Sequence, residues 1–299
     1  MVWCGIVAID KPSGFTSRQI VDKVAKIVRP AKTGHAGTLD PLATGVLVVA
    51  VGSATRLITY VQQGRKRYIG QFRMGVRSNT DDIDGEVTEG GDWSHITEAM
   101  LTEEVTEFVG TISQVPPQFS AVHVGGQRAY KLARRGETVE IDARPVEVHS
   151  IRVTRFATPE FELDIECGSG TYVRSIGRDL GEHFGCGAIM TSLRRLSVGP
   201  FQIEGAVPFA DLDEKRLKAG LQPALTAVAE FPQRIVTADE ILALRQGQTI
   251  DVGSLSATQA DLEVTLVDEG RQMIGIARVE TSPLRLQPQI IFPQQVLPS

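Results

Sequence analysis

Residues 32–45 read Lys-Thr-Gly-His-Ala-Gly-Thr-Leu-Asp-Pro-Leu-Ala-Thr-Gly and run without a break into Val46-Leu47-Val48-Val49-Ala50-Val51. No other stretch limits the fold as strongly. The β-branched run is uniformly apolar and short, which predicts a strand buried on both faces. The three glycines and the proline ahead of it predict a shaped loop. Asp40 is the only carboxylate in that loop, and Pro41 behind it favours extended backbone angles at position 40. A short, stiff, charged side chain is therefore expected at the lip of a packed sheet. That placement suits a nucleophile, and it suits an ordinary turn equally well.

The 299 residues allow one large core and a small second domain. No apolar run is long enough to span a bilayer, and the first residues lack the basic and apolar regions of an export signal. Cys4, Cys167 and Cys186 form no Cys-x-x-Cys pair, so neither a disulfide framework nor a thiolate metal site is expected. His35, His95, His123, His149 and His183 show no ligand spacing, and Asp81-Asp82-Ile83-Asp84-Gly85-Glu86 lacks the oxygen pattern of a calcium loop. We therefore expect a reduced, cytoplasmic protein without metal, with the acidic run as a polar turn. The net charge of −5 hides an asymmetry: residues 1–80 carry +9 and residues 81–120 carry −10. A basic segment on the same stretch as the loop suits a phosphate-tracking surface, and mutual neutralisation across the fold explains it equally well.

In chain order, residues 5–10 predict a first strand, and Thr16 or Ser17 caps a helix with Ile20, Val24, Ile27 and Val28 on its apolar face. Its other face carries Arg18, Lys23, Lys26 and Arg29. A short helix is expected over 54–60. A strand follows in which Tyr68, Gly70, Phe72 and Met74 share one side, led in by Arg65, Lys66 and Arg67. An aromatic beside three cations suits base stacking next to a phosphate, although a tyrosine at a strand start is more often core. The pattern then predicts a helix over 97–110, a rigid extended piece over 115–120 and a short basic helix over 125–136. A half-buried strand is expected over 161–167, followed by the glycine-rich turn Gly168-Ser169-Gly170-Thr171 into a helix with Arg174 in its first turn. Residues 193–201 read as the last strand of the main domain and 208–225 as helical. Beyond 231 the pattern shifts to short segments of a small β module.

Five pieces in this order resemble the TruB family of tRNA pseudouridine synthases. They are Gly34-His35-Ala36-Gly37-Thr38-Leu39-Asp40-Pro41, Lys66-x-Tyr68, Gln114-x-Pro116-Pro117-x-Phe119-Ser120-Ala121, Gly170-Thr171-Tyr172-Val173-Arg174-Ser175 and Leu193-Arg194-Arg195. The resemblance runs collinearly over about residues 5–210, and the tail is more weakly similar to a PUA-type RNA-binding domain. It implies an α+β fold with a mixed, mostly antiparallel sheet flanked by helices. The catalytic domain would span 1–231 and the β-rich PUA-like domain 232–299. It also implies that uridine 55 in the T loop of tRNA becomes pseudouridine without any cofactor. The T-arm stem-loop would be the partner and the enzyme a monomer.

By the same resemblance Asp40 is the catalytic residue, Tyr68 stacks on the base and is a candidate for proton removal, and Arg174 pairs with the aspartate. Leu193 lines the pocket, His35 enters the T-loop stack and Lys11 supports the site. The stretch around 120–145, with Arg128, Tyr130 and Lys131, folds down on bound RNA. His123 stands where the family usually has lysine, and Ser78-Asn79-Thr80 where Thr-Asp-Thr is typical, both in RNA-facing or neighbouring loops.

Breaking an N-glycosidic bond, turning the base and rejoining it through carbon requires an everted nucleotide and an aimed, ionised nucleophile, for which a neighbouring cation is apt. Attack on the base, attack on the sugar and a glycal route all remain open, as does the choice between Tyr68 and Asp40 as proton acceptor. Two rival functions stand beside this one: an RNA chaperone that needs no Asp40, and a phosphate-binding enzyme built on residues 168–171.

Overall fold

The computed structural model describes residues 3–120, 122–124, 126–133, 135–136, 139–253 and 260–293. The larger part of the chain is built from β1 (Gly5–Lys11), β2 (Thr33–His35), β3 (Thr44–Val51), β4 (Lys66–Met74), the β5–β6 hairpin (Val76–Ser78, Val87–Glu89) and β7 (Gly110–Gln114). These are followed by the β8–β9 hairpin (His123–Val124, Gln127–Arg128), β10 (Arg144–Ala157), β11 (Glu160–Cys167), β12 (Ala188–Val198), β13 (Phe201–Gln202) and β14 (Val207–Pro208). Its helices are α1 (Ser17–Ile27), α2 (Ile58–Gln63), α3 (Glu98–Glu104), α4 (Ala129–Ala133), α5 (Val173–His183) and α6 (Glu214–Gly220).

The main sheet runs β14-β1-β3-β12-β4-β11-β10-β7, with β2 paired to β3 and β13 to β12. Among the described residues only β1–β14 and β3–β12 pair in parallel in this sheet, so it is mixed and mostly antiparallel, as the family resemblance implies. β3 lies near its centre. No residue from Val46 to Val51 is more than 2 % exposed, which is what a strand apolar on both faces requires. Leu47, Val49 and Val51 pack with Ile20 and Val24 of α1 and with Ile176 and Leu180 of α5. Val46, Val48 and Ala50 face the opposite layer, with Leu57, Val61, Phe201, Ala224, Val228, Ile276 and Phe292. The last two belong to the tail. There a second sheet of Gln233–Ile235, Glu263–Val267, Met273–Thr281, Leu284–Ile291 and Ile250–Asp251 packs with the helix Ala238–Arg245, consistent with a PUA-like module.

Several element boundaries differ from the sequence reading. Thr33–His35, expected as loop, forms β2 because its backbone zips against Ala50 and its neighbours. The helix expected over 97–110 ends at Glu104, tightens into a 3-10 turn over Val105–Phe108 and leaves through Gly110 at φ +103° into β7. The basic helix shrinks to α4, since Gln127 and Arg128 are used in the β8–β9 hairpin. Gly125 and Arg134 of that expected helix, and Ala121 ahead of it, lie outside the described residues. The strand predicted over 193–201 spans 188–198, and β14 adds a further strand beyond it by pairing with β1. Only Glu214–Gly220 of the expected 208–225 helix is α-helical. Asp213 caps its start, and Pro223 leads into a separate 3-10 turn over Ala224–Val228.

Candidate active site

The loop that carries Asp40 is pinned residue by residue. The Ser17 hydroxyl, at the start of α1, donates to Leu39 O at 3.0 Å and accepts from Leu39 N–H at 2.9 Å. The Lys11 ammonium, fully buried at the end of β1, donates to the carbonyls of Ala43 (2.5 Å), Pro12 (3.0 Å) and Pro41 (3.2 Å). Arg195, on β12, donates through Nε to Val46 O (2.7 Å) and through its terminal nitrogens to Gly37 O (3.2 Å) and Thr38 O (3.5 Å). Two glycines permit the close approaches behind this. Gly45, at φ +95°, lies so near the Arg195 backbone that a Cβ there has no room, and Gly177 lets α5 settle directly on Phe72 of β4.

That settling brings Arg174 under Asp40. Its Nη2 lies 3.2 Å from Asp40 Oδ2 and donates to Phe119 O at 3.2 Å. Its Nη1 lies 3.1 Å from Asp82 Oδ2 and donates to Thr80 O at 2.7 Å. The arginine side chain is 6 % exposed and that of Asp40 is 40 % exposed, so the pair has a buried anchor and an open reactive end. A cavity of about 300 Å3 opens in front of it, bounded by Tyr68, Leu193, Arg195, Lys66, Ser120 and the 168–173 turn. Tyr68 belongs to the core cluster and to the cavity wall at once, so both readings of it hold. Burial pushes its phenol pKa up, and Arg195 beside the hydroxyl opposes that shift.

The remaining predicted residues fall around this centre. Lys11 sits beneath the loop rather than in the cavity wall, close enough to feel the charge of Asp40. Burial lowers its pKa to about 8 despite that carboxylate. His35 is half-buried on β2 and paired with Val49. Its Nδ1 has no acceptor or donor among the described residues, and burial, then Arg195, lowers its pKa. Arg128 and Lys131 are exposed and Tyr130 is half-buried, and none of the three lines the cavity. Their segment is tied to it through the Tyr130 amide, which donates to Ser120 O at 3.0 Å.

Asp82 is the functional residue that the sequence reading passed over. The acidic run 81–86 is not simply a solvated turn: Asp82 is buried on Arg174, and Asp81 pairs with Arg178 at 2.8 Å. An acidic cluster facing two arginines spaced four apart, Arg174 and Arg178, was the available signal. Gln114 was quoted only as part of a motif. It grips the backbone of Tyr172 at both N–H (2.8 Å) and C=O (3.1 Å), fixing the residue that opens α5.

A mixed sheet thus presents a lone loop aspartate, clamped by a helix arginine, at the floor of the cleft. The fold is shared with a solved structure: a chain in the crystal structure of a Cbf5-Nop10-Gar1 complex superposes with a TM-score of 0.75 at 24 % identity, covering 96 % of this chain and 84 % of that one. The model of the TruB family pseudouridylate synthase N-terminal domain matches residues 25–173, and that of the tRNA pseudouridylate synthase B C-terminal domain matches 174–229. The chain belongs to the TruB family of pseudouridylate synthases, and is thus an isomerase. Among its relatives, tRNA pseudouridine synthase B of Thermobifida fusca (strain YX) is 45 % identical over 82 % of this chain and 86 % of that protein. The enzyme of the same name from Synechococcus sp. (strain WH7803) is 38 % identical over 96 % and 97 %.

Proposed function

We propose that this enzyme isomerises uridine 55 in the T loop of tRNA, with Asp40 as the nucleophile acting on an everted nucleotide. The observation that carries this reading is the half-open Asp40 carboxylate held by the otherwise buried Arg174 at the floor of the cavity. In the reaction the N1–C1′ bond breaks, the uracil turns and a C5–C1′ bond forms. The C5 proton leaves to solvent and N1 ends protonated, so no external reactant is consumed.

A fixed guanidinium suits this chemistry because it stabilises the carboxylate before attack and again when it departs. Tyr68 and Leu193 form the slot for the base, and the Tyr68 hydroxyl, with Arg195 next to it, relays the C5 proton. Arg128 and Lys131 supply exposed cations on a segment joined to the cavity rim, which supports closure of the stretch around 120–145 over the T arm. The PUA-like sheet extends the RNA-binding surface. The enzyme works as a cytoplasmic monomer on the T-arm stem-loop. No helix of the described residues is long and apolar enough to cross a membrane.

The test is a T-arm stem-loop carrying tritium at uracil C5 of the target. The wild-type chain is expected to release tritium, whereas Asp40→Asn releases none and still binds the RNA. Turnover by Asp40→Asn removes Asp40 from its role, and no release by the wild type removes the substrate.

A further inference from the structure

Among the described residues three cations line the cleft, Lys66, Arg174 and Arg195, with Lys11 beneath its loop; all but Lys66 are engaged by several acceptors. Arg174 divides its donors between two carboxylates and two carbonyls. Arg195 spends its donors on three carbonyls of the loop and β3, and Lys11 does the same with three. Lys66 differs. It lines the cleft, is only 7 % exposed, and donates to a single acceptor among the described residues, the carbonyl of Gln62. No carboxylate of the described residues lies within ion-pair distance of it. Its cross-strand neighbour Cys167 supplies no counter-charge either, since burial raises that thiol to about 11.

Burying an ammonium with one carbonyl for company is unfavourable, and a methionine of similar length fits such a site at lower cost. The uncompensated burial shows in the lysine itself, whose pKa falls to about 8. Two spare N–H donors in a cleft that receives RNA point to an anion that arrives with the substrate. The register favours a phosphate. Lys66 and Tyr68 alternate onto the same face of β4, a spacing of roughly 7 Å along the strand. A nucleotide stacked on Tyr68 thus has its backbone within reach of Lys66. Gly168 and Gly170, which carry no side chains, line the same end of the cleft.

We infer that Lys66 binds a backbone phosphate flanking the everted nucleotide and forms an anion subsite at one end of the catalytic cleft. This rests on the reading of the cleft as an RNA site given above. The subsite anchors the target nucleotide through its backbone rather than its base. It fixes how far the nucleotide is drawn in, and it contributes nothing to free uridine, which has no phosphate.

The experiment is a double-mutant cycle in the Asp40→Asn background, which binds without turning over. T-arm stem-loops carry one uncharged methylphosphonate, placed at the linkage 5′ or 3′ of the target uridine. With Lys66 present, one of the two placements is expected to weaken binding about tenfold, as befits a lost charge-assisted hydrogen bond. With Lys66→Met the same placement costs less than about twofold, and Lys66→Arg restores the sensitivity. The salt dependence of binding also becomes shallower in Lys66→Met, by roughly one phosphate. Lys66→Met is expected to melt no lower than the parent, because a buried charge is removed; Lys66→Gln stands in if methionine does not fold. Equal costs at both linkages with and without Lys66 overturn the subsite. A failure of tritium release by the wild type instead strikes the proposed reaction, and the two failures are told apart because the cycle reads binding alone.

Discussion

Asp82 Oδ2 lies 3.1 Å from Nη1 of Arg174, the same guanidinium whose Nη2 holds Asp40. The two carboxylates are not equivalent. Asp82 is buried and further fixed by the Thr80 hydroxyl at 2.6 Å and the Asp84 amide at 3.2 Å, whereas Asp40 faces the cavity. Asp82 therefore anchors the arginine whatever happens at Asp40. If Asp40 is the nucleophile as proposed and changes charge during the reaction, Arg174 keeps a partner and keeps its aim.

It follows that Asp82→Asn lowers kcat far more than it raises KM. The amide keeps one acceptor oxygen where the carboxylate has two, so it satisfies either Arg174 or the Thr80 hydroxyl and Asp84 amide, and it leaves the guanidinium with one charge partner; we expect a loss of about ten- to a hundredfold in single-turnover rate. Asp82→Ala removes the acceptor altogether and leaves a buried cation half-paired, at a cost of about 3–5 kcal/mol in stability. Thermal unfolding and tritium release measured on the same preparations separate the two effects. Full activity in Asp82→Asn contradicts the anchor.

At saturating RNA, where the proposed phosphate holds Lys66 charged, the basic limb of kcat is expected from Lys11. Its ammonium orders the turn behind Asp40 through three carbonyls, and burial brings its pKa from 10.5 down to about 8. A lowered value on a base means the charged form is complete below about 8 and lost above it, so kcat at saturating RNA should fall with a midpoint near pH 8. Lys11→Arg keeps its charge throughout and should carry that limb out of the measured range. Stability moves the other way. Between about 8 and 10.5 the unfolded chain binds the proton that the native chain has released, so the contribution of Lys11 to stability rises with pH across that window.

How far these relationships were legible in the sequence depended on their range. β3 was legible because six adjacent apolar residues leave only one way to be buried, and α1 because a cap at Thr16 or Ser17 stands ahead of an apolar stripe; the structure makes Thr16 the cap, in a capping box with Gln19. The clamp on Asp40 was legible only through likeness to a family, since Arg174 is more than a hundred positions away in sequence and no local pattern links them. Asp82 was misjudged for a physical reason. Acidic turns are normally solvated, and nothing in residues 81–86 shows that arginines of α5 will cover two of their carboxylates. The short range of α6 was hidden likewise, because the composition of 208–225 suits a helix and only Asp213 and Pro223 mark where it begins and what cannot continue it.

The tail is joined to the catalytic sheet as core rather than as a tethered appendage. Ile276 and Phe292 are buried in the same cluster as Val46 and Val48. Around them Arg56 Nη1 donates to Ile291 O at 2.7 Å, and the Tyr60 hydroxyl donates to Glu263 at 2.8 Å while its ring meets Phe231 edge-on. Cutting the chain after Phe231 uncovers that face. With about 2 kcal/mol lost per large apolar side chain and about 2–4 °C per kcal/mol at this size, Tm should fall by roughly 10 °C. Tyr60→Phe isolates the polar contact and should cost about 1 kcal/mol. Burial, then Glu263, raises the Tyr60 pKa to about 12, so the contribution of this bond persists up to about pH 10 and is lost as the pH climbs towards 12. A truncated chain that melts at the temperature of the full one disproves the shared core, because the β3 face would then have needed no cover from the tail.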